Sequence, residues 1–124
     1  MAGVSISIDV PDLDQGQSFY CDALGCSFLK SEGKGMRILD AGNVRIYLLE
    51  KAEGTIPFKG GTHSRSYDRH WSPVHLDFGT SDIDASIELI EQYGGSVEDR
   101  DSGSWGSIAY CADPFGNGFC LINE

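Results

Sequence analysis

The sequence of 124 residues lacks the features that mark several large classes of protein. It has no apolar run near the roughly 18 residues that a membrane-spanning helix needs, and no basic stretch followed by an apolar one at its start. Basic side chains number 9 against 19 acidic ones, so the formal net charge is -10. This balance argues against binding to a phosphate backbone and mildly favours a cationic ligand. We therefore expect a cytoplasmic protein without a nucleic-acid or membrane partner.

The four cysteines also lack the spacings of metal-binding or redox motifs. Cys21, Cys26, Cys111 and Cys120 form no C-x-x-C pair and no zinc-finger pattern. Without an export signal, we interpret them as reduced thiols that are buried as small hydrophobic side chains.

An internal repeat is the most informative feature that is present. The segment VSISIDVPDLD, residues 4–14, aligns with VHLDFGTSDID, residues 74–84. Both segments alternate apolar and polar residues, which is typical of a half-buried strand. Each then reaches an aspartate that can cap a helix, and each predicted helix ends at glycine, Gly25 or Gly94.

Three short strands are predicted after each helix, separated by glycine-rich turns. They lie near residues 26–31, 35–40 and 43–50 in the first half, and near 95–101, 105–112 and 117–123 in the second. The prediction is an α+β protein with one domain, residues 1–124, built from two βαβββ modules. The modules cover residues 3–50 and 73–124, and residues 51–72 form a linker that can also act as a lid.

Three motifs in this order resemble the vicinal oxygen chelate superfamily. They are DLDQGQSFYCDALG after the first strand, VHLDF at the start of the second half, and DPFGNGFCLI, residues 113–122. The superfamily includes glyoxalase I, extradiol dioxygenases, fosfomycin-resistance transferases and bleomycin-resistance proteins. The resemblance implies two βαβββ modules that form an incompletely closed antiparallel barrel, commonly completed in a homodimer.

The resemblance also implies where a metal site would lie. Metalloenzymes of the superfamily carry one ligand on each of the first, fourth, fifth and eighth strands. In this sequence those positions are Ser5, Tyr47, His75 and Cys120, and only His75 has the expected type. We therefore expect no metal cofactor. If a divalent metal binds, we expect His75 with Cys120 as ligands, and Asp77 or Tyr47 as the third.

Strand alternation predicts which side chains line a cavity. Val4, Ile6 and Val74 are assigned to the helix-covered face. The opposite face is predicted to carry ligand-binding side chains, namely Ser5, Arg45, Tyr47, His75, Asp77 and Cys120. Trp105, and Tyr110 farther along the same strand, are expected either to stack on a ligand or to pack in the core or a dimer interface.

His75 has two interpretations. It is either a histidine bonded to its neighbours on a sheet face, or a catalytic general base or ligand partner oriented by Asp77 or Tyr47. His63 and His70 in the linker are expected to be solvated, with His70 and Trp71 as alternative contacts at the cavity rim.

Two functions follow from these observations. The first is a metal-independent protein that sequesters or acts on a small organic ligand, as the bleomycin-resistance branch does with a cationic drug. The alternative is a metal-dependent lyase, isomerase or dioxygenase of the glyoxalase type that uses His75 and a non-standard ligand set. In both, a small-molecule ligand and a homodimer are the expected partners.

Overall fold

A computed structural model describes residues 3–123, in which eight strands form two four-stranded sheets. The first sheet contains β1 (Ser5–Val10), β2 (Ser27–Glu32), β3 (Met36–Asp40) and β4 (Arg45–Glu50). The second sheet contains β5 (Leu76–Gly79), β6 (Ser96–Gly103), β7 (Gly106–Ala112) and β8 (Gly118–Asn123). The predicted α+β plan of two βαβββ modules is confirmed. The predicted domain also included residues 1, 2 and 124, which lie outside the described residues.

The strand directions differ from the antiparallel arrangement that the resemblance implied. The orders are β1-β4-β3-β2 and β5-β8-β7-β6, and three strands of each sheet are antiparallel. However, β1 pairs in parallel with β4, and β5 in parallel with β8. The reason is the helical crossover after the first strand of each module, which returns the chain to the same end of the sheet. The sheets are therefore mixed, and within residues 3–123 they remain two separate four-stranded sheets that do not close into a barrel.

Both helices begin where the repeated aspartates predicted. Helix α1 (Leu13–Ser18) is capped by Asp12, whose side chain accepts a hydrogen bond from the Gln15 backbone, and continues as a π-helical segment, Phe19–Ala23. Helix α2 (Ile83–Gln92) is capped in the same way by Asp82. Such caps satisfy backbone N–H groups that have no partner within the helix.

One hydrophobic core lies between the helix-covered faces of the two sheets. Phe19 of the π-helical segment contacts Phe119 of β8 edge to face, with ring centroids 5.9 Å apart. Val10 and Leu48 of the first sheet belong to the same core. Since residues from the covered faces of both sheets share this core, the opposite face of each sheet lies away from it. We call these the open faces; they carry Tyr47 in the first sheet and Cys120 in the second.

A hydrogen bond joins the modules inside this core. The Tyr20 hydroxyl donates to Asp113 Oδ2 at 2.7 Å, and both residues are buried. Asp113 also accepts bonds from the backbone N–H groups of Phe115 and Asn117 and from the Asn117 side chain. The carboxylate thus holds the turn before β8 and ties it to the first module.

The linker is folded against the modules. The Lys51 N–H donates to Val10 O at 3.0 Å, and Arg65 forms an ion pair with Asp9 at 2.7 Å. Farther along, the His70 N–H donates to Gly116 O at 3.1 Å. We call residues 68–71 the strap, because they cross the turn that precedes β8.

Two positions assigned to the covered face are exposed instead. Val4 is 73% exposed and Val74 is 82% exposed. Both residues precede the strands, which begin at Ser5 and Leu76, so the alternation of the strand does not govern them. None of the helices in residues 3–123 has the length and apolarity needed to cross a membrane.

Candidate functional site

Three polar side chains meet on the open face of the second sheet. His75 lies one residue before β5, Asp77 lies on β5, and Cys120 pairs with Asp77 on β8. Their nitrogen, oxygen and sulfur atoms all lie within 4.8 Å of one another. Parallel pairing of β5 with β8 creates this juxtaposition, because it sets Cys120 directly beside Asp77.

Hydrogen bonding and burial set the state of this cluster. His75 Nδ1 lies 3.2 Å from Asp77 Oδ1, and these two side chains are 38% and 49% exposed. Cys120 is only 1% exposed. Burial raises the pKa of the Cys120 thiol, and the charge and hydrogen bond of Asp77 raise it further. A thiol of raised pKa is neutral near pH 7 and can donate to the carboxylate.

His75 also lines a cavity of about 480 Å³, which falls within the size range of small-molecule sites. Other lining residues are Ser7 and Tyr20 of the first module, Ser72 at the end of the linker and Asn117 of the second module. The cavity therefore lies where the two modules meet and combines polar groups with apolar walls.

The predicted residues of the first sheet lie on a separate surface. Ser5, Arg45 and Tyr47 share the open face of β1 and β4 and line one depression together. The predicted ligand-binding residues are therefore divided into two groups. One group is Ser5, Arg45 and Tyr47, and the other is His75, Asp77 and Cys120.

Trp105 lies apart from both groups. It occupies the tip of the β6–β7 hairpin and is 53% exposed. Its indole covers Gly103, where an added Cβ would lie 2.8 Å from Trp105 Nε1. Tyr110, by contrast, pairs with Cys120 across β7 and β8 and faces the cluster.

A second tryptophan, Trp71 of the strap, lies beside the cluster. Its ring centroid is 5.8 Å from that of His75 and 6.2 Å from that of Tyr110, with the rings steeply inclined in both pairs. Glu98 of β6 accepts a hydrogen bond from Trp71 Nε1 at 2.9 Å. The same carboxylate is bound by the Arg69 guanidinium, which also lies over the Trp71 ring at 4.6 Å.

These contacts perturb the titration of Glu98. Hydrogen bonds from Arg69 and Trp71, with the positive charge of Arg69, lower the pKa of the Glu98 carboxyl below 4.5. Sequence reasoning placed Trp71 at the rim as one alternative but missed Glu98 and Arg69. A glycine inside a strand, Gly118, is the signal that could have indicated a close approach.

The cluster contains donors that suit a borderline metal ion. Imidazole nitrogen, carboxylate oxygen and thiolate sulfur are all ligands of Zn²⁺, and tetrahedral coordination would place them about 3.5 Å apart. Their separations, up to 4.8 Å, come near that spacing. His75, Asp77 and Cys120 therefore form a candidate metal-binding group with an open fourth position.

Comparison with known proteins agrees with this architecture. The family model described as a glyoxalase-like domain matches residues 5–122, so the chain belongs to the glyoxalase-like domain family. It is a member of the vicinal oxygen chelate superfamily. No curated protein matches the sequence.

Solved structures of similar fold include fosfomycin-resistance proteins and a lactoylglutathione lyase. FosX from Listeria monocytogenes has 17% identity and a TM-score of 0.73, over 100% of this chain and 94% of that chain. FosX from Mesorhizobium loti has 14% identity and a TM-score of 0.73, over 100% and 93%. Lactoylglutathione lyase from Agrobacterium tumefaciens has 18% identity and a TM-score of 0.65, over 99% and 94%.

Proposed function

We propose that this protein binds a small organic molecule beside His75, without a metal ion, in the cytoplasm. The observation that carries this proposal is the internal bonding of the cluster. Asp77 Oδ1 lies 3.2 Å from His75 Nδ1, and the Asp77 carboxylate raises the pKa of the neighbouring Cys120 thiol and so favours its neutral form, so the three groups can interact with one another without a cation. All four cysteines are free thiols, which suits a reducing compartment.

The geometry supports a role for His75 as the group that meets the ligand. Its Nδ1 lies 3.2 Å from Asp77 Oδ1, and within residues 3–123 no hydrogen bond uses its Nε2. An imidazole fixed in this way can accept a proton or a hydrogen bond at Nε2. Asp77 orients the ring, and the aromatic rings of Trp71 and Tyr110 supply apolar surface beside it.

A second copy of the chain would complete the site. Ser5, Arg45 and Tyr47 lie on the open face of the first sheet, whereas the cluster lies on that of the second. Strands β1 and β5 each form one of the two edges of their sheets, and natural proteins cover such edges. Exposed Val4 lies one residue before β1, and exposed Val74 lies two residues before β5. A homodimer that joins β1 of one copy to β5 of the other would bring the two groups together.

Sedimentation over a range of concentrations tests the homodimer. Val74→Glu introduces a charge beside the edge of β5 and should weaken the dimer at least about tenfold, equivalent to about 1.4 kcal/mol. Leu89→Glu, on the exposed side of α2, is the matched control and should leave association unchanged. A wild-type protein that stays monomeric at all concentrations would contradict the homodimer.

Metal content tests the metal-free site. Protein purified without chelator or affinity metal should carry far less than one equivalent of any transition metal, as measured by elemental mass spectrometry. Thermal stability should be indifferent to added Zn²⁺, Mn²⁺, Ni²⁺ and Fe²⁺, because a ligand that binds only the native state would raise it. Near one equivalent of metal, lost in His75→Ala, would refute the metal-free site.

The second candidate is metal-dependent chemistry of the glyoxalase type. It is favoured by the proximity of three ligand atoms at His75, Asp77 and Cys120. A variant of FosX from Listeria monocytogenes was solved with Mn(II) and 1S,2S-dihydroxypropylphosphonic acid. When bound here, a divalent ion would polarise an oxygen of the ligand. The three side chains would hold it, and His75 and Asp77 would keep their mutual orientation.

Titration with Co²⁺ distinguishes the candidates without an activity assay. Coordination by Cys120 requires loss of the thiol proton, so binding should strengthen as pH rises. It should also produce a thiolate-to-cobalt absorption band that Cys120→Ser abolishes. Cys111→Ala is the matched control, because that thiol is buried in the core on the other face. Absence of the band at pH 8 would eliminate the metal candidate.

A further inference from the structure

The position of Trp71 is fixed by the Glu98 carboxylate, which binds both the Trp71 indole and the Arg69 guanidinium of the strap. Glu98 accepts a bond from Trp71 Nε1 at 2.9 Å and one from Arg69 Nη2 at 2.6 Å. The Arg69 guanidinium then lies over the indole, 4.6 Å from its centroid. A ring held by a hydrogen bond and a cation–π contact has little freedom to rotate.

The second sheet is shaped to receive this ring. An added Cβ at Gly118 would lie 2.8 Å from the Trp71 ring, so only glycine leaves the room that the indole occupies. Glu98 is the residue skipped in the register between β6 and β7, where Val97 pairs with Cys111 and Asp99 with Tyr110. Such a bulge redirects the side chain of the extra residue. It sets the Glu98 carboxylate beside the strap.

Trp71 is thereby placed beside the group that meets the ligand. Its ring is perpendicular to that of His75 at 5.8 Å, and 43% of the Trp71 surface remains exposed. We propose that Trp71 is a specificity-determining residue of this site, and that it selects ligands carrying an aromatic ring beside a polar group. This proposal rests on the proposed function of His75 in ligand binding.

The chemistry follows from the two neighbouring surfaces. A hydroxyl or amine of the ligand would bond His75 Nε2, while its ring would meet the exposed part of the indole. An aromatic pair contributes more binding free energy than its buried area alone would give, whereas a saturated ring of the same size lacks this additional contribution. Because Glu98 and Arg69 already fix the indole, binding would not require ordering of that side chain.

Phenol and cyclohexanol provide a matched pair of probes, since they share a hydroxyl and six ring carbons. Each is titrated to about 50 mM into ¹⁵N-labelled protein, and the shifts of the Trp71 Nε1–H and the backbone of β5 are followed by NMR. Phenol should bind about fivefold more tightly, equivalent to about 1 kcal/mol. In Trp71→Leu, followed at β5, this preference should fall to less than about twofold.

Two further variants separate the possible outcomes. His75→Asn should weaken the binding of both probes, because it removes their common hydrogen bond. If neither probe binds the wild type, or if His75→Asn leaves the binding of both unchanged, the proposed function is refuted. If both probes need His75 but Trp71→Leu keeps the preference for phenol, only the role of Trp71 is refuted. Phe58→Leu, an exposed aromatic in the same linker, is the control and should keep the preference.

Discussion

Tyr20 and Asp113 form a buried hydrogen bond that joins the two halves of the repeat. The hydroxyl and carboxylate are 2.7 Å apart, and the Tyr20 hydroxyl lies deep in the core. Burial raises the pKa of Tyr20 well above 10, as do the charge and hydrogen bond of Asp113. The phenol therefore remains a donor throughout the neutral range. Removing it leaves one oxygen of Asp113 with a single donor, Asn117.

Replacement of Tyr20 by phenylalanine should lower the free energy of unfolding by about 1–2 kcal/mol. The cost is moderate because Asp113 keeps its other three hydrogen bonds. Tyr67→Phe makes the same chemical change at an exposed hydroxyl that donates to Lys51 O, and should cost about 0.5 kcal/mol. Urea unfolding measures both. Equal losses of unfolding free energy in the two variants would contradict a larger contribution from the buried hydrogen bond.

Substitution of Gly118 by alanine should displace Trp71 from the sheet. The new Cβ would lie 2.8 Å from the indole ring, closer than side chains tolerate. In a Trp105→Phe background, where Trp71 is the only tryptophan, its emission should shift to the red and acrylamide quenching should increase. Gly79→Ala is the matched control, since an added Cβ there meets nothing within 4 Å. An unchanged emission in Gly118→Ala would contradict the contact.

Acid should also release Trp71, through protonation of Glu98. The pKa of this carboxyl is lowered in the folded protein, so the contact contributes stability above pH 4.5 and loses it as pH falls through the lower folded value. In the same single-tryptophan background, emission should shift to the red below pH 4.5 before global unfolding. Glu98→Gln should remove this transition. Asp84→Asn, which alters the exposed pair of Asp84 with Arg100, should retain it.

Alkaline pH should destabilise the core through two buried thiols. Burial raises the pKa of Cys26 to about 11 and that of Cys111 to about 12, from 9.0. Above pH 9 the unfolded chain loses these protons while the folded chain keeps them. The free energy of unfolding should therefore fall, by up to about 1.4 kcal/mol per pH unit for each thiol, until the folded pKa is reached. Urea unfolding at several pH values between 8 and 10 measures this dependence. The free energy of unfolding should fall less steeply with pH in Cys111→Ala than in the wild type.

Much of the fold was predictable because the repeat carries local signals. Asp12 and Asp82 cap helices as expected, and Gly25 and Gly94 have the positive φ angles, 81° and 96°, that favour glycine at helix ends. Alternation also placed Asp77 and Cys120 on one face. Their direct pairing was not predicted, because alternation alone does not specify whether neighbouring strands run parallel.

The residues that surround the site were harder to predict from the sequence. Trp71 lies in a linker without periodicity, and its partner Glu98 is the extra residue of a bulge. A bulge shifts the alternation of a strand by one residue, so a pattern read along β6 does not show where Glu98 points. The separation of Ser5 and Tyr47 from His75 likewise depends on how two modules pack, which local patterns do not encode.

The parallel pairing of β5 with β8 has a consequence for the order in which the chain folds. The two strands of a hairpin are close in sequence, whereas α2, β6 and β7 lie between β5 and its partner β8. Contacts between residues distant in sequence carry a large loop-closure entropy and form slowly. On the ribosome, Asp77 would emerge well before Cys120, so the second module can assemble its antiparallel hairpins while His75 and Asp77 are still unpaired. We therefore expect the site beside His75 to form late, when the second module is completed.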